Sequence, residues 1–174
     1  MTADVWSLIA AVGTFVVITA TAIAGFLQLR QFRRTNELAG LQSVFGTLID
    51  PSVREIVNFV RHDLKIRMQD ESFRAGLNEI PVDRRAHPEF YLCDIYNHIG
   101  SFVRSGLISE DVYLQTDWFN VILYWNLLRD SVLEVRRTRP YTFENFEWLV
   151  ARAKRWADAH PHGDYPADQP RMTD

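Results

Sequence analysis

A chain of 174 residues with 47% apolar and 13% aromatic content can bury one core and leaves no room for a second large domain. Its formal net charge of -3 gives no basic bias of the kind that nucleic-acid binding needs. The single cysteine, Cys93, excludes an internal disulfide and fits a reducing compartment.

Val5 to Leu29 carries no charged residue, and its polar members are Ser7, Thr14, Thr19, Thr21 and Gln28. As a helix, a run of this length reaches roughly 37 Å, more than the ~30 Å hydrocarbon core of a bilayer. The run is too long for the apolar part of a cleaved signal peptide, and Asp4 precedes it where such a peptide is basic. The expectation is a transmembrane anchor over 1–29. Arg30, Arg33 and Arg34 follow the run at once, so the positive-inside rule places the N-terminus outside and the remainder in the cytoplasm. Those three arginines are expected to meet anionic lipid headgroups. Ala10, Gly13, Thr14, Thr21, Ala24 and Gly25 recur at helical spacing and would let a second helix approach closely.

From 30 to 159 the apolar periodicity is helical throughout, which predicts an all-α fold: the anchor continues into a small cytoplasmic bundle of about four to five helices. The first segment runs on from Arg30 to Leu48 and stops at Asp50-Pro51, where Asp50 can cap and Pro51 can open a helix from Ser52 to about Met68. Asp70 to Arg85, with Gly76 and Pro81, predicts a short helix and a loop. The next helix starts near Pro88 and ends at Gly106, a natural C′ glycine. Ser109, Glu110 and Asp111 favour a helix start, and that helix ends before Pro140. Thr142 is the expected cap of a last helix reaching about Ala159. Residues 160–174 hold three prolines and little apolar material, and predict a polar tail that orders on a partner.

The Leu29-Arg30-Gln31-Phe32-Arg33-Arg34 exit, the Tyr96-Asn97-His98-Ile99-Gly100 stretch running to Gly106-Leu107-Ile108, and the Tyr141 to Ala153 segment with Phe143, Phe146 and Leu149 resemble a broad group of uncharacterised bacterial proteins. These have one membrane helix and a helical domain of about this size. The resemblance implies architecture and a bacterial inner membrane setting. It transfers no activity and no site residue.

Tyr91, Asp94 and His98 share one helix face, and an Asp with a His can bind a metal or share a proton. Three or four ligands are needed for zinc, and His87, the nearest further candidate, precedes Pro88. A surface hydrogen bond is the simpler reading of the trio. Cys93 lies among apolar neighbours and reads as a core residue. There is no phosphate loop, nucleophile elbow or CxxC pair, so no catalytic residue, cofactor or metal is assigned. Arg136, Arg137 and Arg139 complement a helix C-terminus and are candidates for docking a partner.

The functional expectation is a non-catalytic, membrane-anchored accessory or scaffold subunit of a larger complex, such as a photosynthetic reaction-centre or respiratory assembly. Its partners would be other membrane-protein subunits and anionic lipid, with no nucleic acid. The alternatives are a membrane-tethered signal relay and an enzyme built on Tyr91, Asp94 and His98.

Overall fold

The structure is a computed structural model that describes residues 3–48, 50–165, 168–170 and 172. Within the first helix the side chains described are those of 12–28, 31, 40, 42, 44, 46 and 48. The described elements are all helical: α1 (Ala3–Leu48), α2 (Pro51–His62), α3 (Leu64–Arg67), α4 (Glu71–Gly76), α5 (Glu89–Arg104), α6 (Glu110–Arg136) and α7 (Glu144–Ala159). Two compact units, 1–39 and 40–174, divide between Ala39 and Gly40.

The first unit corrects the expectation of a single-pass transmembrane anchor. Among the described residues, no helix is long and apolar enough to cross a membrane. The apolar side chains described run from Val12 to Gln28. The Thr19 and Thr21 hydroxyls within it donate back to the carbonyls of Phe15 (2.9 Å) and Val17 (2.8 Å). At ~100° per residue, Val12, Phe15, Val16, Ile23, Phe26 and Leu27 fall within about 120° of arc, and each is more than half exposed. Gly13, Thr14, Thr21, Ala24 and Gly25 lie on the other side, together with Val17 and Ile18, which are also more than half exposed. A methyl added at Gly13 or Gly25 would meet nothing within 4 Å.

In the second unit the helix starts follow local chemistry. Asp50 accepts the Ser52 N–H at 2.8 Å, with Pro51 at the first helical position. Asp70 repeats the arrangement with Ser72 for α4. The expected helix from Ser52 to Met68 is divided at Asp63, whose φ of -109° breaks the run while its N–H still reaches the Phe59 carbonyl at 2.8 Å. This break and the short α4 raise the helix count above the expected four to five. Gly106, at φ +73°, ends α5.

The core lies where α5, α6 and α7 meet. Tyr96 of α5 stacks on Phe146 of α7 with centroids 5.1 Å apart, and Trp125 of α6 meets the same ring edge-on at 5.1 Å. Leu92, Ile99, Leu114, Leu128 and Leu149 are buried around them. Each buried aliphatic side chain contributes roughly 1.5–3 kcal/mol.

Candidate functional site

The most tightly built place in the molecule is the start of α7. Phe143, not Thr142, is the residue that precedes it, in the left-handed region at φ +61° and with no side-chain cap of its own. Its ring is buried against Phe90 at 5.5 Å, which offsets a conformation that costs a non-glycine residue on the order of 1 kcal/mol. The unpaired N–H groups of the first turn are served from another helix. Asn97 of α5 accepts from Asn145 N–H (3.1 Å) and Phe146 N–H (3.3 Å). One turn on, Gly100 lets the α7 backbone in: a Cβ there would stand 2.2 Å from the Asn145 carbonyl oxygen. Arg104 Nη1 donates to Asn145 Oδ1 at 3.2 Å.

Two arginines of the expected docking cluster hold backbone. Arg136 Nε donates to the Thr142 carbonyl at 2.9 Å, and its Nη1 pairs with Glu147 at 2.7 Å. Arg139 Nη2 donates to the Leu77 carbonyl at 2.6 Å. Arg137 is mostly exposed and pairs with Glu134 at 3.3 Å.

Two buried polar clusters sit beneath this frame. His87 Nδ1 and Glu89 Oε1 are 3.1 Å apart, both nearly inaccessible, and Glu89 Oε2 has no hydrogen-bond partner. Burial pushes the Glu89 carboxyl above its usual range, partly opposed by His87. The His87 ring lies 4.3 Å from Phe73, and Nε2 faces Gly76 so closely that a Cβ there would approach to 2.6 Å. An open cleft of about 250 Å³ adjoins this pair, with Arg67, Glu79 and Asp83 on its walls. The Ser72 hydroxyl on its rim is bonded to Asp70 at 2.8 Å. In the second cluster Asp117 accepts from the Tyr113 hydroxyl (2.7 Å) and Asn120 (2.8 Å). Burial raises the Asp117 carboxyl against the pull of both bonds, and burial with Asp117 nearby raises the Tyr113 and Tyr96 phenols well above theirs. The first cluster ties the start of α5 to α4 through the His87–Phe73 contact, and the second is internal to α6.

The trio expected from spacing is not gathered around a cavity. Tyr91 and His98 are exposed, and Asp94 pairs with Arg84. Among the described residues, no group of three or more His, Cys, Asp or Glu side chains is placed to hold a metal. Cys93 is fully buried, and burial holds its thiol well above the ordinary range, so it is not a thiolate. The side chains of Ala10, Arg30, Arg33 and Arg34 lie outside those described. Asn97, Gly100, Glu89 and Asp117 were not singled out by the sequence. Asn97 and Gly100 entered only within the Tyr96-Asn97-His98-Ile99-Gly100 stretch that carries the resemblance.

These features define a class: an all-helical domain whose interior polar groups cap and clamp its own helices. Within that class the chain belongs to the family described as Domain of unknown function (DUF4760), whose model matches residues 15–156. The resemblance to an uncharacterised domain family holds; the match carries no activity, membrane anchor or bacterial source. No curated protein and no solved structure matches the chain. The match includes both sides of the α5–α7 junction, Asn97 and Gly100 on one and Asn145 and Phe146 on the other.

Proposed function

We propose that this protein is a non-catalytic accessory or scaffold subunit that binds a protein partner through α1. The observation that supports the reading is the bulky stripe of Val12, Phe15, Val16, Ile23, Phe26 and Leu27, each more than half exposed. A contiguous apolar surface of this kind marks an interaction site. Half-burial of six such side chains is worth on the order of 5–10 kcal/mol gross, comparable with the cost of association. The 40–174 unit supports the same reading from the other side, because its polar clusters serve packing.

The test is to purify the tagged full chain from its native cells in mild detergent, cross-link it and identify stoichiometric companions. A companion lost from the Phe15→Glu, Phe26→Glu variant, with the helical content retained, is the expected result. Recovery as a free monomer, recovery with lipid alone, or a companion set unchanged in the variant would overturn the proposal.

A further inference from the structure

The buried His87–Glu89 pair uses only one side of the imidazole. Nδ1 faces Glu89 Oε1 at 3.1 Å, a contact within the start of α5. Nε2 takes no hydrogen bond among the described residues, although His87 is only 3% exposed. It lies against Gly76, where a Cβ would approach it to 2.6 Å, and both residues line the open cleft of about 250 Å³. A buried ring nitrogen left without a partner on a cleft wall marks a place for a ligand's polar group.

The remaining walls set the charge of that ligand. The Arg67 guanidinium carbon stands 5.1 Å over the Phe73 ring, and the same ring lies 4.3 Å from that of His87. Phe73 is buried, so one fixed aromatic support carries both the cation and the imidazole. Glu79 and Asp83 also line the cleft, and among the described residues no ion pair joins either of them to Arg67. Both signs of charge therefore border one small space. The acidic groups and His87 do not close on a single point that would hold a metal ion, so the match is a molecule with separated charges. The cleft is smaller than the ~300–1,000 Å³ of sites for drug-sized ligands, which limits its occupant to the size of a small metabolite.

We propose that this cleft binds a small zwitterion of the amino-acid class, with its carboxylate on Arg67 and His87 Nε2–H and its ammonium on Glu79 and Asp83. A guanidinium offers a carboxylate paired donors, and an ammonium has three N–H groups to give to carboxylate oxygens. Glu89 is a positioning residue, because its contact with Nδ1 holds the ring with Nε2 toward the cleft. The site lies within the 40–174 unit and stands apart from the α1 reading, so the failure of one leaves the other intact.

The experiment adds glycine or 4-aminobutyrate, whose charges are spaced differently, to the full chain labelled with 15N-histidine. Butylamine and butyrate are the singly charged controls. One of the zwitterions is expected to bind with a Kd of about 1 mM, at least about tenfold tighter than either control, the worth of one charge-assisted hydrogen bond. The His87 ring nitrogens should shift on binding, with the proton on Nε2. Arg67→Gln should abolish the preference over butylamine and keep that over butyrate, and the Glu79→Gln, Asp83→Asn double variant should do the reverse. All three positions are exposed, and asparagine at 83 keeps an acceptor for the Arg85 N–H, so far-ultraviolet circular dichroism should not change. Binding of neither zwitterion, a control that binds as tightly, or His87 resonances that stay in place would overturn the proposal, as would a selectivity unchanged in both variants.

Discussion

Replacing Gly100 by alanine tests whether the α5–α7 junction is the keystone of the bundle. An alanine Cβ would stand 2.2 Å from the Asn145 carbonyl oxygen, 2.7 Å from its carbon and 3.2 Å from its Cβ. Two of these atoms are backbone, so relief requires α7 to move rather than a side chain to rotate. Overpacking of this kind costs about 1–3 kcal/mol. Movement of α7 also strains the bonds from Asn145 and Phe146 to Asn97, and loss of an N-terminal cap costs about 1 kcal/mol more. Against these stands the helix propensity of alanine over glycine, about 1 kcal/mol in favour of the variant. The net is a loss of roughly 2 kcal/mol, or about 4–8 °C in melting temperature for a chain of this size. Thermal unfolding followed by near-ultraviolet circular dichroism reads it, with Gly46→Ala as the control, since a Cβ there meets nothing within 4 Å. Asn97→Ala should also destabilise, and the Asn97→Ala, Gly100→Ala double variant should lose less than the sum, because both changes act on one contact. A Gly100→Ala protein as stable as wild type, or additive losses, would refute the reasoning.

Two further predictions concern the buried carboxyl and the arginines. Burial raises the Glu89 carboxyl, so folding favours its protonated form; that contribution is whole below the ordinary glutamate range and is lost as pH rises through the folded value. Glu89→Gln removes the charge and should gain stability relative to wild type as pH climbs from about 4 to 7, read by urea unfolding at several pH values; parallel curves for the two proteins would disprove it. Arg139→Ala leaves the Leu77 carbonyl without its guanidinium donor and should cost about 2 kcal/mol. The exposed Arg137→Ala should stay within about 0.5 kcal/mol in the same urea titration, and equal effects at the two positions would mean that Arg139 does not clamp Leu77.

Much of the bundle was legible because its signals are local. Asp50 with Pro51 marks the start of α2, and Gly106 marks the end of α5, since each acts on backbone within a few residues of itself. The start of α7 was not legible for the opposite reason. Its cap is Asn97, 48 residues earlier in the chain, so Thr142, the nearest residue of capping type, drew the expectation. The same distinction separates the arginines. At Arg136, Arg137 and Arg139 the sequence shows three like charges beside a helix end, yet two of them reach into the bundle because carbonyls of the 137–143 turn and of Leu77 lie within range. Asp94 was read with His98 at four residues' spacing, while its partner is Arg84 from the preceding loop. In α1 the uncharged run from Val5 to Leu29 suggested a membrane span, whereas among the described residues no helix is long and apolar enough to cross a membrane. Pattern therefore located the helices of 40–174, and contacts distant in sequence decided which polar groups were structural. Asn97, Arg136 and Arg139 are all spent on orphan backbone groups. None of these three roles can be read from residues close in sequence, because the groups they serve lie on other elements.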